Sequence, residues 1–283
     1  MLRRSLTAIH ITLFSAFATL FVPAPDAAAK GAPPKEKATE TSSAELAALD
    51  KALKGDEDSV VGALQSIDDG DKVAAAPLVA KLLGRGGTEK VLEAAMKTAQ
   101  KLKVESLSVA IAPYTRHRSD EVRRQATRAL LKTKGPIAVT TLEQALRSPD
   151  AVVRGTAASG LGELHAHAAL PELFLAFDKG VPEAAAALGQ LCVGAECDQF
   201  IGRTGRVGFD VMQTGFDQIL FRPPSEVSDD AKIKLVGKLR ELGTDEVGKY
   251  LSDVAERWPK DGSKRVKQVI DSAAHSVGGG VKQ

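Results

Sequence analysis

Aromatic residues are scarce in this chain: nine Phe, two Tyr and one Trp make up 4% of 283 positions. β-Sandwiches and barrels fill their pleated surfaces with aromatic and β-branched side chains, so this scarcity argues against an all-β fold. Small and unbranched residues, Ala and Leu above all, stand in their place and suit closely packed helices. Net charge is also nearly absent, at +2 from 38 Lys and Arg against 36 Asp and Glu. That balance argues against a chain given over as a whole to nucleic acid or an anionic membrane, while leaving local patches open. Disorder throughout is excluded by an apolar fraction of 43%, enough to build a core.

Catalytic signatures are missing as well. There is no G-x-S-x-G elbow, and neither cysteine has a histidine close in sequence. His165-Ala166-His167 has the H-x-H form of a metal pair. Zinc would need two further ligands, and the nearest cysteine is 25 residues away, so a solvated turn is the expectation. Gly202-Arg203-Thr204-Gly205-Arg206-Val207-Gly208 lacks the preceding strand and the G-K-[ST] ending of a phosphate-cradling loop, and reads as a mobile glycine-rich connection. No catalytic residue, metal ligand or cofactor is assigned on this basis.

Long hydrophobic runs are confined to the N-terminus. Arg3 and Arg4 precede an apolar stretch from Leu6 to Val22, then Pro23, Pro25 and Ala27-Ala28-Ala29. A basic n-region, an h-region and a small-residue exit read as a secretory signal peptide over 1–29, with an uncleaved anchor as the alternative. Residues 30–41 are polar and proline-rich, a leader to the fold. The protein is therefore expected outside the cytoplasm, periplasmic or extracellular. There Cys192 and Cys197, five positions apart, read as a short-loop disulfide. Two buried free thiols or a redox pair are the alternatives, although the spacing is not C-x-x-C.

What the chain has in plenty is periodicity. Val122-Arg123, Ala126 and Leu130 recur 31 positions later as Val153-Arg154, Ala157 and Leu161. Stepping back by 31 reaches Val91, Ala95 and Thr98, and a further step Val60, Leu64 and Ile67. Asp58, Glu89 and Asp120 precede three of these runs at one offset, and Asp150 precedes the fourth one place earlier. Between the runs, Leu142, Ala145 and Leu146 correspond to Leu173, Ala176 and Phe177. The spacing within each segment is helical. Gly135-Pro136 marks a helix end, and Ser148-Pro149-Asp150 a start with Ser148 capping and Pro149 at the first position. A helical pair of about 31 residues cannot bury its apolar faces alone and must stack on its neighbours.

The pattern acidic-x-Val-Arg-x-x-Ala-x-x-Ala-Leu, followed by a turn and a Leu-rich helix, resembles the HEAT repeat, in the short form seen in phycobilisome lyases. The resemblance spans roughly 44–192 and is sharpest over 119–178. It implies an all-α, right-handed solenoid of stacked hairpins over 42–197, with the Val-Arg helices on the concave face. It also implies that Arg123 and Arg154 form a structural polar ladder with acidic turn residues. Register weakens after Cys197. Residues 198–277 read as degenerate helical repeats that cap the array, and 278–283 as a tail. Ser228 and Thr244 are expected helix caps there, and the apolar cluster from Phe200 to Phe221 is expected to be capping core, with a groove for an apolar partner segment as its alternative.

The functional expectation is an exported, non-catalytic scaffold that binds a protein partner on the concave face at Arg124, Arg128 and Lys132. These belong to a basic tract from Arg116 to Lys134 that does not continue into the adjacent helices, where Gly155, Thr156, Glu163, Glu93 and Lys97 stand. A nucleic-acid channel should continue, so nucleic acid is not expected. A solvated basic face and an acidic protein or polysaccharide partner both stay open. The other functional alternatives are a lyase-like or chaperone-like factor and a structural assembly subunit. The expected state is a monomer or weak oligomer, meeting a membrane only if the signal segment is retained.

Overall fold

The computed structural model describes residues 43–68 and 72–278. The expected signal peptide, the leader and residues 279–283 of the tail lie outside the described residues. Among the described residues there is no strand, and Thr204 and Val207 form one isolated bridge. The first hairpins comprise α1 (Ser43–Ala52), α2 (Glu57–Ser66), α3 (Lys72–Arg85) and α4 (Glu89–Leu102). Next come α5 (Leu107–Ile111), continued by a 3₁₀ turn (Ala112–Arg116), then α6 (Asp120–Thr133), α7 (Gly135–Ala145) and α8 (Ala151–Glu163). A short 3₁₀ turn (His167–Ala169) leads to α9 (Leu170–Asp178), α10 (Ala184–Leu191), α11 (Ala195–Ile201) and α12 (Phe209–Phe221). The chain ends with α13 (Asp229–Leu242), α14 (Asp245–Arg257) and α15 (Lys264–Gly278).

The helices stack as an α-solenoid. In one row α2, α4, α6, α8, α10 and α12 each pack on the next, and in the other α1, α3, α5 and α7 do the same. The 31-residue register is visible as burial: Val60, Val91, Val122 and Val153 are all buried, as are Leu142, Leu173, Leu146 and Phe177. Thr98 ties the rows' neighbours together, its hydroxyl donating to the Leu64 carbonyl across the α2–α4 contact (3.0 Å). Burial of the repeated Val, Ala and Leu positions against the next hairpin is what holds each hairpin in place.

Helix starts are set by local acceptors. Asp56, Thr88, Ser228 and Thr244 each accept a backbone N–H three residues on. The expected Ser148 cap needs correction. Helix α8 begins at Ala151, and Asp150 caps it by accepting from the N–H groups of Val152 (2.9 Å) and Val153 (3.4 Å). The Ser148 hydroxyl accepts the N–H of Asp150 instead (3.2 Å). The backbone places Asp150, extended and directly before the first helical residue, at the capping position, and its carboxylate there also meets the positive end of the helix dipole.

Beyond α9 the stack changes character. Phe177, Phe200, Phe216, Phe209 and Tyr250 form a chain of ring contacts with centroids 5.3–6.1 Å apart. Phe200, Met212, Phe216, Ile219 and Leu220 are buried in this core. Helices α10 and α12 cross with backbone almost touching: a Cβ on Gly189 would lie 2.3 Å from the Gly215 carbonyl oxygen. Only glycine permits that approach. Arg222, just after α12, donates to the carbonyls of Gly189 (3.0 Å) and Cys192 (2.7 Å), closing the C-terminus of α10. The 202–208 connection is tied down by Arg203, which forks onto both carboxylate oxygens of Asp178 (2.7 Å each) and lies 4.6 Å from the Phe174 ring centroid.

Candidate functional site: the basic face of α6 and the turn edge

Arg124, Arg128 and Lys132 lie one turn apart along α6, and helical spacing puts them on one face. They differ in freedom. The Arg124 Nε donates to Asp150 Oδ2 (2.9 Å), so this cation links α6 to the cap of α8. Asp150 is buried at 5% side-chain exposure. Burial works against its charge, but the Arg124 hydrogen bond and the N–H groups of Val152 and Val153 outweigh it and hold the carboxyl below the usual carboxylate range. Arg128 is half-exposed and stands 3.9 Å from Glu121, a loose pair. Lys132 is exposed. On α8, Gly155 is closed over by Glu183, whose Cδ would be 2.6 Å from an added Cβ.

Arg123 and Arg154 have the same bonds one repeat apart. Arg123 Nη1 donates to the carbonyls of His117 (2.7 Å) and Arg118 (2.9 Å), and Arg154 Nη1 to those of Ser148 (2.8 Å) and Pro149 (3.0 Å). Each guanidinium thus braces the turn that precedes its own helix. Among the described residues carboxylates join at Arg123 and not at Arg154: Arg123 bonds Asp120 and stands 3.8 Å from Asp150. The acids run out at the next step: 31 residues after Asp120 and Asp150 stand Ala151 and Val181.

Two clefts that no sequence motif marks open beside these turns. The larger, about 500 Å³, lies between the turn before α6 and the turn before α8, with Arg116, His117, Arg118, Arg123 and Arg147 in its walls. The second, about 290 Å³, shares Arg147 and adds Arg154, Leu175, Lys179 and Val181, with Glu172 as its one acid. Elsewhere, the sulfur atoms of Cys192 and Cys197 are 2.09 Å apart, with Cα atoms 4.9 Å apart. His165 and His167 sit in the turn after α8, and among the described residues no three His, Cys, Asp or Glu cluster as a metal site would need.

A family model for HEAT repeats matches residues 107–192. This segment is built of HEAT repeats. It runs from α5 to Cys192 and holds the whole α6 face and both clefts. Among solved structures, the complex of CpcE and CpcF of phycocyanin lyase from Nostoc sp. is 14% identical, with a TM-score of 0.45 over 87% of this chain and 99% of that one. A designed armadillo repeat protein is 12% identical, with a TM-score of 0.39 over 82% of this chain and 100% of its own. An engineered protein is 16% identical, with a TM-score of 0.39 over 82% and 96% of the two chains. A comparison with curated proteins returns no match.

Proposed function

We propose that the chain is an exported, non-catalytic scaffold of the cell envelope that binds a partner protein on the α6 face around Arg124, Arg128 and Lys132. The observation that carries this reading is the HEAT-repeat stack itself. Helices α4, α6 and α8 lie side by side in one row, and such rows offer extended binding surfaces rather than a closed catalytic pocket. On that row Arg128 has only a loose pair with Glu121 and Lys132 is exposed, while Arg124 is committed to Asp150. Export is supported by the basic, apolar and small-residue order of the first 29 positions, and by a cysteine pair at bonding distance.

In-cell cross-linking of the mature protein, followed by mass spectrometry of joined peptides, tests the reading. One dominant partner linked through residues 124–134 is the expected result. Links mainly to the chain itself would replace the scaffold with an assembly subunit, and diffuse or absent links would return the question to a lyase-like or chaperone-like factor. Export has its own test. Chain sequencing of the envelope fraction should begin at Lys30, and an intact N-terminus in the cytoplasm would refute it.

A further inference from the structure

The turn edge of the solenoid carries a feature separate from the α6 face. Lys54, Arg85, Arg116 and Arg147 follow one another at intervals of 31 residues. Each stands at or just past the C-terminal end of the first helix of its hairpin: after α1, at the end of α3, at the end of the Ala112–Arg116 turn and just after α7. The repeat stack therefore lines these cations up along one edge. Neutralisation along the row is uneven. Lys54 and Lys81 share Asp50, and Arg147 pairs with Glu172 (2.6 Å). Among the described residues Arg85 meets only the Leu53 carbonyl, and Arg116 only the neutral Gln144 side chain (2.6 Å). Arg118 is exposed, with no hydrogen bond or ion pair from its side chain among the described residues.

The two clefts that share Arg147 form the richest part of this edge. Their walls hold six Arg and Lys side chains (Arg116, Arg118, Arg123, Arg147, Arg154 and Lys179) against one carboxylate, Glu172. Asp120 and Asp150 lie just outside and are taken up by Arg123 and Arg124. The buried Nε of Arg123 has no hydrogen-bond partner among the described residues. Apolar side chains line the clefts as well: Ala145 and Pro149 in one, and Val181 with Leu175, which is 41% exposed, in the other.

We propose that this groove binds an extended acidic segment of a partner polypeptide, its carboxylates on Arg116, Arg118 and Arg147 and an apolar side chain on Leu175 and Val181. The proposal takes from the scaffold reading only that the partner is a protein. Guanidinium forks match carboxylates in two-point fashion, and the apolar residues of the lining suit the side chains of a peptide. Neither cleft has a Phe, Tyr or Trp in its walls on which bases could stack, which disfavours a nucleic-acid strand. Stacked helices lie about 8–10 Å apart, and an extended chain rises about 3.3 Å per residue. One repeat thus corresponds to about three residues of ligand, so acidic side chains about three positions apart would meet successive repeats.

Fluorescence anisotropy tests this with the purified mature chain. The probe is a fluorescein-labelled nonapeptide bearing glutamate at every third position with leucine beside it. A peptide with lysine in place of glutamate, a single-stranded oligonucleotide and a heparin oligosaccharide serve as competitors. The glutamate peptide should bind, weaken with salt, and lose about tenfold or more in affinity with Arg116→Ala/Arg118→Ala and with Leu175→Ser. Both variants should melt with the unaltered protein, because all three residues are exposed. Arg128→Ala/Lys132→Ala should leave the affinity unchanged. No binding, equal binding by the groove variants, or displacement by the oligonucleotide or heparin at lower concentration than the peptide itself would overturn the assignment. The two readings fail separately. A partner cross-linked through 124–134 and still held by Arg116→Ala/Arg118→Ala keeps the α6 face and removes the groove. Peptide binding lost only in groove variants, with no partner on α6, does the reverse.

Discussion

Gly215→Ala should unfold the C-terminal half of the stack at a markedly lower temperature. A Cβ at this position would sit 2.5 Å from the Ala185 carbonyl oxygen and 2.5 Å from the Cζ of Phe200. Neither neighbour can give way cheaply. The carbonyl belongs to the backbone of α10, and Phe200 is fully buried between Phe177 and Phe216 at centroid distances of 5.7 Å. Relief requires α10 and α12 to separate, which also opens space around the Phe200 ring. Overpacking of this kind costs about 3 kcal/mol, the upper part of its usual range. For a chain of this size that corresponds to a fall of about 6–12 °C in Tm.

The control is the same substitution elsewhere. Gly237 lies in α13 with nothing within 4 Å of an added Cβ, so Gly237→Ala should stabilise by up to about 1 kcal/mol through helix propensity alone. Thermal melts followed at 222 nm read both. Hydrogen exchange should show protection in α10 and α12 falling before that in α4 and α6, because each repeat couples to its neighbours only. The double variant Gly189→Ala/Gly215→Ala should cost less than the sum of its parts, since one separation relieves both contacts. A Gly215→Ala protein that melts at or above the parent would refute the reasoning.

Three further perturbations have defined outcomes. Asp150→Ala removes the α8 cap and leaves Arg124 half-buried without its partner, a cost of about 2 kcal/mol by urea midpoint, with Asp150→Asn in between. Because the folded carboxyl is held below its ordinary value, its contribution is fully present above about pH 4 and fades as the pH falls further, so the Asp150→Asn deficit should shrink on acidification. In the mature chain purified without reductant, Cys192 and Cys197 should resist alkylation, and reduction should cost about 2 kcal/mol for so short a loop; two freely alkylated thiols would remove the bond. Tyr250→Phe deletes the bond from the buried hydroxyl to Asp217 (3.0 Å) and should cost about 1 kcal/mol. Burial, and then the Asp217 carboxylate, push this hydroxyl far above its ordinary value, so its stabilisation is fully present below about pH 10 and is lost progressively as the pH rises further. Alkaline unfolding should therefore be less steep in Tyr250→Phe.

The repeat was legible because burial and register are the same fact. A residue that must face the next hairpin has to be apolar every 31 positions, and Val60, Val91, Val122 and Val153 are. The C-terminal helix starts at Ser228 and Thr244 were legible because capping is a local matter of one hydroxyl and a backbone N–H three residues on. The α10–α12 crossing was not. Gly189 and Gly215 are 26 positions apart, outside the 31-residue register, and a glycine gives no sign of whether it serves a turn or a contact. The same holds for Arg222, whose bonds to Gly189 and Cys192 reach back 33 and 30 residues without a motif to mark them. The cap of α8 was misplaced by two residues because Ser148 and Asp150 both offer acceptors, and only the path of the backbone decides between them.

The candidate site shows where periodicity must be applied to side chains as well as to the core. The basic residues near Arg124 do not continue on the equivalent face of α8, where Gly155 stands and Glu183 covers it. A solenoid has a second direction of repetition, along its turns. Lys54, Arg85, Arg116 and Arg147 keep the register there even though their surroundings differ. A cation at the end of a helix is favourable in itself, through the dipole and the last carbonyls, so one such residue calls for no ligand. Four in register would still be only helix ends if each were neutralised in the same way. They are not: Arg116, with Arg118 beside it, faces a cleft without a carboxylate in its walls, where Arg147 has Glu172 and Lys54 has Asp50. Dipole compensation explains the row, and it leaves the excess charge in that one cleft unexplained. Substituting Arg85 and Arg116 one at a time separates the two roles: Arg85→Ala gives up a part-buried bond to the Leu53 carbonyl and should cost about 1 kcal/mol in stability, Arg116→Ala only a few tenths. Only the loss of Arg116 should weaken the acidic peptide.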